Sequence, residues 1–279
     1  MSDMGFVRKE KYGTEDLLEI VRILRAPGGC PWDREQTHKS IRANFIEETY
    51  EALEAIDTEN NTLLCEELGD VLLQVLLHAQ MEAEAGVFDF SDVVDGLAKK
   101  LVLRHPHVFG DVEVSGTEDV LRNWDAIKKA SKSQKTQTEV LHSVSPALPA
   151  LMRSEKVQKK AAKSGYDFQN VEAALEKISE ELSEVRGAAK SETQERCKEE
   201  IGDLLFSVVN VARHLRVDPE EALFASCEKF IDRFDRAEQK AILSGKKLEG
   251  LSEEELDKLW EAAKAETAQK EKEVPGNGR

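Results

Sequence analysis

The strongest constraint on the fold is an internal repeat of acidic side chains. Two sets of five acids share the same order and spacing, and each member of the second set lies 133 positions after its counterpart. The first set is Glu47, Glu48, Glu51, Glu67 and Asp70, and the second is Glu180, Glu181, Glu184, Glu200 and Asp203. The flanking residues also agree, because a Leu-Gly or Ile-Gly dipeptide precedes the last acid of each set. This long-period repeat predicts two copies of one domain in a single chain.

The spacing of apolar residues predicts that both copies are helical. Leu17, Leu18 and Val21 recur at helical spacing, and a long apolar stretch follows each acidic set. The chain has only 7 prolines, so long helices are free to form. Residues 110–114 are the one weak candidate for a strand. We therefore predict an all-α protein with two tandem helical-bundle domains.

Helix-capping and helix-breaking residues set the predicted boundaries of the helices and domains. We expect helices from about Ser40 to Ile56 and from about Leu63 to Ala85, and a further helix with Ser91 as its N-cap. Residues 131–138 are polar and lack periodicity, whereas a new helical series begins after 145. The predicted domains are thus 1–130 and 146–265, with a linker over 131–145 and a disordered tail over 266–279.

Charge and cysteine usage narrow the classes of function. The 39 Lys and Arg against 55 Asp and Glu give a net charge of −16, which disfavours a nucleic-acid or anionic-membrane binder. The 4 cysteines include no CxxC pair, so neither a zinc site nor a disulfide framework is expected. The N-terminus lacks a signal-peptide pattern and no apolar stretch is long enough to span a bilayer, so we expect a cytoplasmic protein.

The acids within each set are spaced so that they converge. Glu48 and Glu51 share one face of a helix, and Glu67 and Asp70 have the same spacing on the next helix. The short connection between these helices predicts antiparallel packing. Clustered carboxylates suit Mg²⁺, with Mn²⁺ as an alternative. The competing interpretation is a solvated acidic helix face, which is the common case for a single string of this kind.

The helix that carries the second pair of acids suggests that they are not solvated. Glu67, Asp70, Gln74 and His78 fall in one stripe, and the other sides of the helix are almost wholly apolar, so we predict that it is mostly buried. The second copy repeats this stripe with Glu200, Asp203, Ser207, Asn210 and His214. Carboxylates on a buried helix need cations, and these would come from side chains or from metal.

These residues resemble those of a known family. The pattern EExxE followed by ExxD occurs twice, together with GCPWD at 29–33, RHPHVF at 104–109 and LPAL at 148–151. The combination is similar to the MazG-type nucleoside triphosphate pyrophosphohydrolases of the all-α pyrophosphatase superfamily, and the resemblance covers nearly the whole chain. It implies Mg²⁺-dependent cleavage of ribo- and deoxynucleoside triphosphates to monophosphate and pyrophosphate, and it implies a homodimer.

The resemblance also implies a role for each site residue. The metal ligands would be Glu48, Glu51, Glu67, Asp70, Glu181, Glu184, Glu200 and Asp203. The residues that orient or deprotonate the water attacking the α-phosphorus would be Glu47 and Glu180. The nucleotide-binding residues would be Arg196, Lys229, Arg233, Trp260 and Lys264 in the second copy, and Lys100, Arg104, Trp124 and Lys128, in looser register, in the first. The better match of the second set leads us to hypothesise that both copies bind metal and the second carries most turnover.

Two other interpretations remain at this point. The chain could be a non-catalytic acidic helical scaffold or regulatory binding protein, or a narrower pyrophosphohydrolase acting on dUTP or phosphoribosyl-ATP. The completeness of both acidic sets favours an enzyme, and the tandem layout favours the MazG type.

Overall fold

The computed structural model of the chain describes residues 6–131, 135–191 and 193–273. These residues form thirteen helices and no strand, so the predicted all-α class is confirmed. They divide into two compact units, Met1–Ser131 and Lys132–Arg279. Among the described helices, none combines the length and apolar character that a membrane span requires.

The first unit is built around a hairpin of two long helices. Its helices are α1 (Thr14–Arg25), α2 (Pro31–Glu35), α3 (Arg42–Asp57), α4 (Asn61–Ala85), α5 (Phe90–Arg104), α6 (Pro106–Phe109) and α7 (Thr117–Ser131). Helix α3 packs along α4, and the three-residue connection makes the pair antiparallel. A small apolar core at the far end of the hairpin consists of Val21, Ile41, Leu76, Leu77 and Met81.

Local chemistry explains where these helices begin and end. The Asn60 side chain accepts a hydrogen bond from the backbone N–H of Leu63 at 3.2 Å, which caps the start of α4. Gly86, at a φ of 71°, ends α4 in the left-handed conformation. The start of α5 differs from the prediction, because Asp89 is the N-cap and the predicted cap, Ser91, lies in the first turn. The Asp89 side chain accepts hydrogen bonds from two backbone N–H groups, which a serine further along cannot replace.

The second unit repeats the hairpin. Its helices are α8 (Gln137–His142), α9 (Ala150–Ala162), α10 (Val171–Ser191), α11 (Gln194–His214), α12 (Pro219–Leu243) and α13 (Glu253–Glu273). Helix α10 packs along α11, and α9 packs against the same helix. Thr193 takes the place of Asn60, since its hydroxyl accepts a hydrogen bond from the backbone N–H of Arg196 at 3.3 Å.

Two polar segments are more helical than the sequence indicated. Helix α8 lies inside the stretch 131–145 that was predicted as a linker, because Thr136 and Glu139 form a reciprocal capping box around its start. Helix α13 continues to Glu273, so the tail predicted as disordered from 266 begins within a helix. Residues 274–279 lie outside the described residues. In α8, local hydrogen bonding stabilises a helix that has little apolar periodicity.

The acid-bearing helices are less buried along their apolar sides than predicted. We expected α4 and α11 to be mostly buried through their apolar sides, but Leu68 is 55% exposed and Leu205 is 50% exposed. The acids on the same helices are covered instead, since Glu67 is 7% exposed and Glu200 is 1% exposed. The reason is that Glu67 and Glu200 face acids of the neighbouring helix of the hairpin, whereas the buried apolar residues of α4, such as Leu76 and Leu77, lie further along the helix.

Candidate functional site

In the first unit, α3 and α4 bring the repeated acids together. Glu48, Glu67 and Asp70 each offer a carboxylate oxygen, and these atoms lie within 4.8 Å of one another. Glu51, the fourth predicted ligand, lies outside this triad, but its carboxyl group contacts that of Glu67. Glu47 is near enough to affect the titration of Glu48. The hairpin therefore gathers all five acids into one cluster.

This first cluster contains no positive charge. Burial and then the neighbouring carboxylate of Asp70 raise the pKa of Glu48. Burial and then the contact with Glu51 raise the pKa of Glu67. No Lys or Arg of the described segments forms an ion pair with any of the five acids. The cluster is thus stabilised either by protons or by a cation from solution.

In the second unit, α10 and α11 repeat the arrangement with a different triad. Here Glu181, Glu184 and Glu200 offer oxygens within 4.8 Å of one another. Asp203 acts electrostatically on Glu200 but lies outside the triad and is exposed. Burial raises the pKa of Glu200, while the charge of Arg196 opposes this shift. Each unit therefore brings three of the four predicted ligands into close contact.

A lysine that sequence analysis missed lies on the second cluster. The Lys177 ammonium group donates hydrogen bonds to Glu180 at 2.9 Å and to Glu181 at 2.7 Å. These bonds raise the pKa of Lys177, with the bond to Glu181 as the larger cause. The signal was available in the sequence, because Lys177 lies four residues before Glu181 on one helix, which is the spacing of helical ion pairs.

Among the described residues of the second unit, Arg196 is the predicted nucleotide-binding residue that contacts an acid of the cluster. Its guanidinium group pairs with Glu199 at 2.9 Å and with Glu200. The residues of the first unit that correspond to Lys177 and Arg196, 133 positions earlier, are Asn44 and Leu63. The two clusters therefore have similar acids and different charge balance.

Unpartnered oxygen atoms show that the clusters fit a divalent ion. The described residues contain buried side-chain oxygens without a hydrogen-bond partner, and those in the two clusters belong to Glu67, Gln74, Glu181 and Glu200. Gln74 is close to the first cluster, since its amide nitrogen lies 3.5 Å from a Glu48 oxygen. Orphaned acceptors of this kind need a donor or a cation. A set of ligands made only of oxygen suits a hard ion such as Mg²⁺.

The other predicted nucleotide-binding residues of the second unit lie on α12 and α13, and they are Lys229, Arg233, Trp260 and Lys264. The Trp260 ring packs against Phe230 with centroids 5.1 Å apart. The Nε atom of Arg233 is buried without a partner. Across the described ranges, no hydrogen bond or ion pair joins these four residues to the acids of α10 and α11. The structure places them together but does not bring them to the acids.

The corresponding residues of the first unit also lie on helices other than those that carry the acids. Lys100 and Arg104 are on α5, and Trp124 and Lys128 are on α7. The Arg104 guanidinium lies 5.2 Å from the centre of the Trp124 ring, in a cation–π contact. His105 meets the same ring edge-on with centroids 5.0 Å apart. Trp124 is therefore held between a cation and an imidazole.

A histidine pair extends the polar stripe of α4. The Nδ1 atoms of His38 and His78 are 2.7 Å apart, and the Nε2 atom of His38 lies 2.7 Å from a Glu82 oxygen. The two rings are nearly coplanar, with an interplanar angle of 7°, as an in-plane N–H···N bond requires. If His38 donates to Glu82, its Nδ1 accepts from His78. Sequence analysis placed His78 on the stripe but missed His38, because the pair depends on the path of the loop before α3.

Comparison with known proteins shows which family this chain is similar to. The sequence profile of the MazG nucleotide pyrophosphohydrolase domain matches residues 36–109 and 169–236, which include both acid-bearing hairpins. The nucleoside triphosphate pyrophosphohydrolase/pyrophosphatase MazG of Thermotoga maritima is 44% identical over 250 residues, covering 90% of this chain and 95% of that protein.

Two further relatives are similar over nearly the same part of this chain. The nucleoside triphosphate pyrophosphohydrolase of Escherichia coli K12 is 42% identical over 251 residues, which are 89% of this chain and 95% of that protein. The uncharacterized protein YabN of Bacillus subtilis is 50% identical over 246 residues, which are 88% of this chain and 50% of that protein. The similarity thus extends over both units.

Proposed function

The chain belongs to the MazG nucleotide pyrophosphohydrolase family, and from this premise we propose that its two acidic clusters hold Mg²⁺ for cleavage of nucleoside triphosphates. The protein is a nucleoside triphosphate pyrophosphohydrolase that forms nucleoside monophosphate and pyrophosphate. The observation that carries the metal proposal is the pair of carboxylate triads, each with a buried oxygen that lacks a partner.

Each triad supplies the ligands for the ion. In the first unit these are Glu48, Glu67 and Asp70, with Glu51 beside them, and in the second they are Glu181, Glu184 and Glu200, with Asp203 beside them. When bound, Mg²⁺ or Mn²⁺ supplies Lewis-acid polarisation of the triphosphate and offsets its charge.

The acids next to the ligands are proposed to accept the proton of the attacking water. Glu47 and Glu180 are exposed to solvent and adjoin the ligands Glu48 and Glu181 in sequence. As the water oxygen bonds to the α-phosphorus and the bond to the pyrophosphate leaving group breaks, one of these carboxylates would accept the proton released by the water. The basic and aromatic residues on α5, α7, α12 and α13 would bind the phosphates and the base.

A homodimer would complete the site. Leu68 and Leu205 leave an apolar surface on the hairpins, and no residue of α5 is buried, although Leu97 and Leu101 lie on it. Helix α12 exposes Phe230 in the same way. Apolar residues exposed on each unit in this way are typical of an interface. A second copy that covers it would bring helices carrying the nucleotide-binding residues against the acids.

Product analysis tests the function. The full chain is incubated with a panel of ribo- and deoxynucleoside triphosphates, with Mg²⁺ or with excess EDTA, and the products are separated. We expect monophosphate and pyrophosphate in equal amounts, formed only with Mg²⁺. Diphosphate and orthophosphate, or hydrolysis that persists in excess EDTA, would contradict the proposal. No turnover of any triphosphate would favour a scaffold, and turnover of dUTP or phosphoribosyl-ATP alone would favour the narrower enzymes.

A further inference from the structure

We infer that the two units take up divalent ions in different ways. The first cluster binds the ion directly, whereas the second exchanges two internal cations, Lys177 and Arg196, for the ion when the nucleotide arrives. This inference rests on the proposed function and adds to it an order of binding and a role for Lys177. It follows from a difference between two hairpins that are otherwise alike.

The first cluster is available to an ion at once. In the described part of the chain, none of its five carboxyl groups is paired with Lys or Arg. The Oε2 atom of Glu67 is buried and has no hydrogen-bond partner. An ion that enters displaces no internal cation, and it removes repulsion among carboxylates that are held together by the hairpin.

The second cluster already holds positive charge. One oxygen of Glu181 is bonded to Lys177 at 2.7 Å, and one oxygen of Glu200 is bonded to Arg196. The Oε2 atoms of Glu181 and Glu200 are buried without a partner. In each of these two carboxylates, one oxygen is therefore paired with an internal cation and the other has no hydrogen-bond partner. A divalent ion must compete with both cations for these oxygens.

The position of Arg196 suggests that it has another binding partner. Arg196 lies in the first turn of α11, where the helix dipole is positive and disfavours a cation. Leu63 occupies the matching position in α4, so the turn itself needs no charge there. Arginine and the start of a helix together attract phosphate, which makes the triphosphate the natural acceptor for this side chain.

The exchange requires that both side chains can move, and their exposure allows it. The Lys177 and Arg196 side chains are 34% and 44% exposed, although two of the carboxylates that they hold, Glu181 and Glu200, are buried. When a triphosphate binds, its oxygens offer each cation a new partner. The carboxylate oxygens released in this way become available to the ion that the nucleotide brings.

Metal binding to the full-length chain tests the order. A Glu181→Gln/Glu200→Gln variant leaves only the first cluster, and a Glu48→Gln/Glu67→Gln variant leaves only the second. Each is titrated with Mn²⁺ by calorimetry in the absence of nucleotide. We expect the second cluster to bind Mn²⁺ about tenfold or more weakly than the first. Equal affinities would overturn the inference.

A residue swap between the units gives a sharper test. In the variant that retains only the second cluster, Lys177→Asn/Arg196→Leu introduces the residues of the first unit. We expect Mn²⁺ to bind about tenfold more tightly, while α,β-methylene-ATP, titrated with Mn²⁺ present, binds about tenfold more weakly. These opposite changes distinguish an exchange from loss of structure, which would weaken both. An unchanged Mn²⁺ affinity would overturn the inference.

The reciprocal swap and a control complete the experiment. Asn44→Lys/Leu63→Arg in the variant that retains only the first cluster should weaken Mn²⁺ binding. An unchanged Mn²⁺ affinity would overturn the inference even if the first swap fails to fold.

The control is Lys159→Asn, which removes an i,i+4 ion pair with Glu155 elsewhere in the second unit and should leave Mn²⁺ affinity unchanged. A change equal to that of the first swap would overturn the inference. Pyrophosphate release is measured separately, so that an inactive protein is distinguished from one with equivalent metal sites.

Discussion

The acids of the site occupy surroundings that favour their neutral form. Burial is the largest cause of the raised pKa of Glu48, Glu67 and Glu200, and neighbouring carboxylates raise it further. Because the folded pKa exceeds the unfolded value of 4.5, the native state holds extra protons at moderately acidic pH. The stability that these groups confer is therefore complete below the unfolded pKa and is lost as the pH rises through the folded pKa.

This sign predicts how a neutral substitute behaves. In EDTA, the wild type should lose stability as the pH rises above about 4.5, because Glu67 then ionises, whereas glutamine cannot ionise. The free energy of unfolding of Glu67→Gln minus that of the wild type should therefore increase with pH. Urea unfolding of both proteins at a series of pH values measures the difference, in which the other titrating groups cancel. Mg²⁺ should remove the advantage of the variant. A difference that is constant with pH in EDTA would contradict the proposed environment of Glu67.

The identity of the acids could be predicted, but their detailed environment could not. Repetition and i,i+3 spacing were sufficient to select all five acids of each unit. The division into different triads depends on small differences in how each hairpin packs, which spacing does not specify. The His38–His78 contact joins residues 40 positions apart, so no local pattern indicates it.

At the level of elements, one buried arginine fixes the loop that connects α1 to α3. The Arg25 side chain is 6% exposed and donates two hydrogen bonds, each of 2.9 Å, to Glu84 on α4. It also donates to the backbone oxygens of Asp33 and Gln36. Through these bonds the loop is attached to the end of α4 beyond the histidine pair.

Removal of this arginine should be far more costly than removal of an exposed one. Arg25→Ala should lower the free energy of unfolding by about 1–3 kcal/mol, because it leaves the part-buried backbone oxygens of Asp33 and Gln36 without this donor. Arg22→Ala, which removes only an exposed pair with Glu19, should cost less than about 1 kcal/mol. Chemical denaturation of both variants measures this. Equal losses would show that Arg25 does not fix the loop.

Alanine substitution should have opposite effects on stability at a glycine of the loop and at a glycine of the helix. A Cβ atom on Gly29 would collide with the backbone oxygens of Ile23 and Leu24, so Gly29→Ala should destabilise the protein by about 1–3 kcal/mol. A Cβ atom on Gly69, within α4, would meet nothing within 4 Å, so Gly69→Ala should stabilise the chain by about 0.5–1 kcal/mol. Thermal unfolding of the two variants checks both signs. Destabilisation by Gly69→Ala would indicate that another surface lies against this helix.

The helices were predictable where apolar periodicity and caps agreed. The predicted pair of long helices corresponds to α3 and α4, and Gly86 ends the second as expected. The short helix α8 was missed because a capping box, rather than an apolar face, stabilises it. The prediction that α4 is mostly buried fails at Leu68 and Leu72, which are exposed, because periodicity reveals that a helix has two faces but not which one its neighbour covers.

For the whole molecule, the exposed apolar surface is the main unexplained property of a single chain. We predict that the wild type has twice the mass of the 31.3 kDa chain in solution, and that Leu97→Glu/Leu101→Glu reduces the assembly to one chain. The control is Leu243→Glu, at an apolar residue that is 86% exposed at the end of α12 and should not affect assembly. Light scattering after size exclusion measures the masses. A monomeric wild type would contradict the homodimer.

The most direct test of the account is pyrophosphate release by variants that remove one ligand from each cluster. Glu67→Gln and Glu200→Gln are made separately and together, and each is assayed with Mg²⁺ after circular dichroism has confirmed its helix content. We predict that the double variant loses activity by about a thousandfold or more, and that Glu200→Gln accounts for most of the loss. A folded double variant with wild-type, Mg²⁺-dependent pyrophosphate release would contradict the assignment of these acids to the active site.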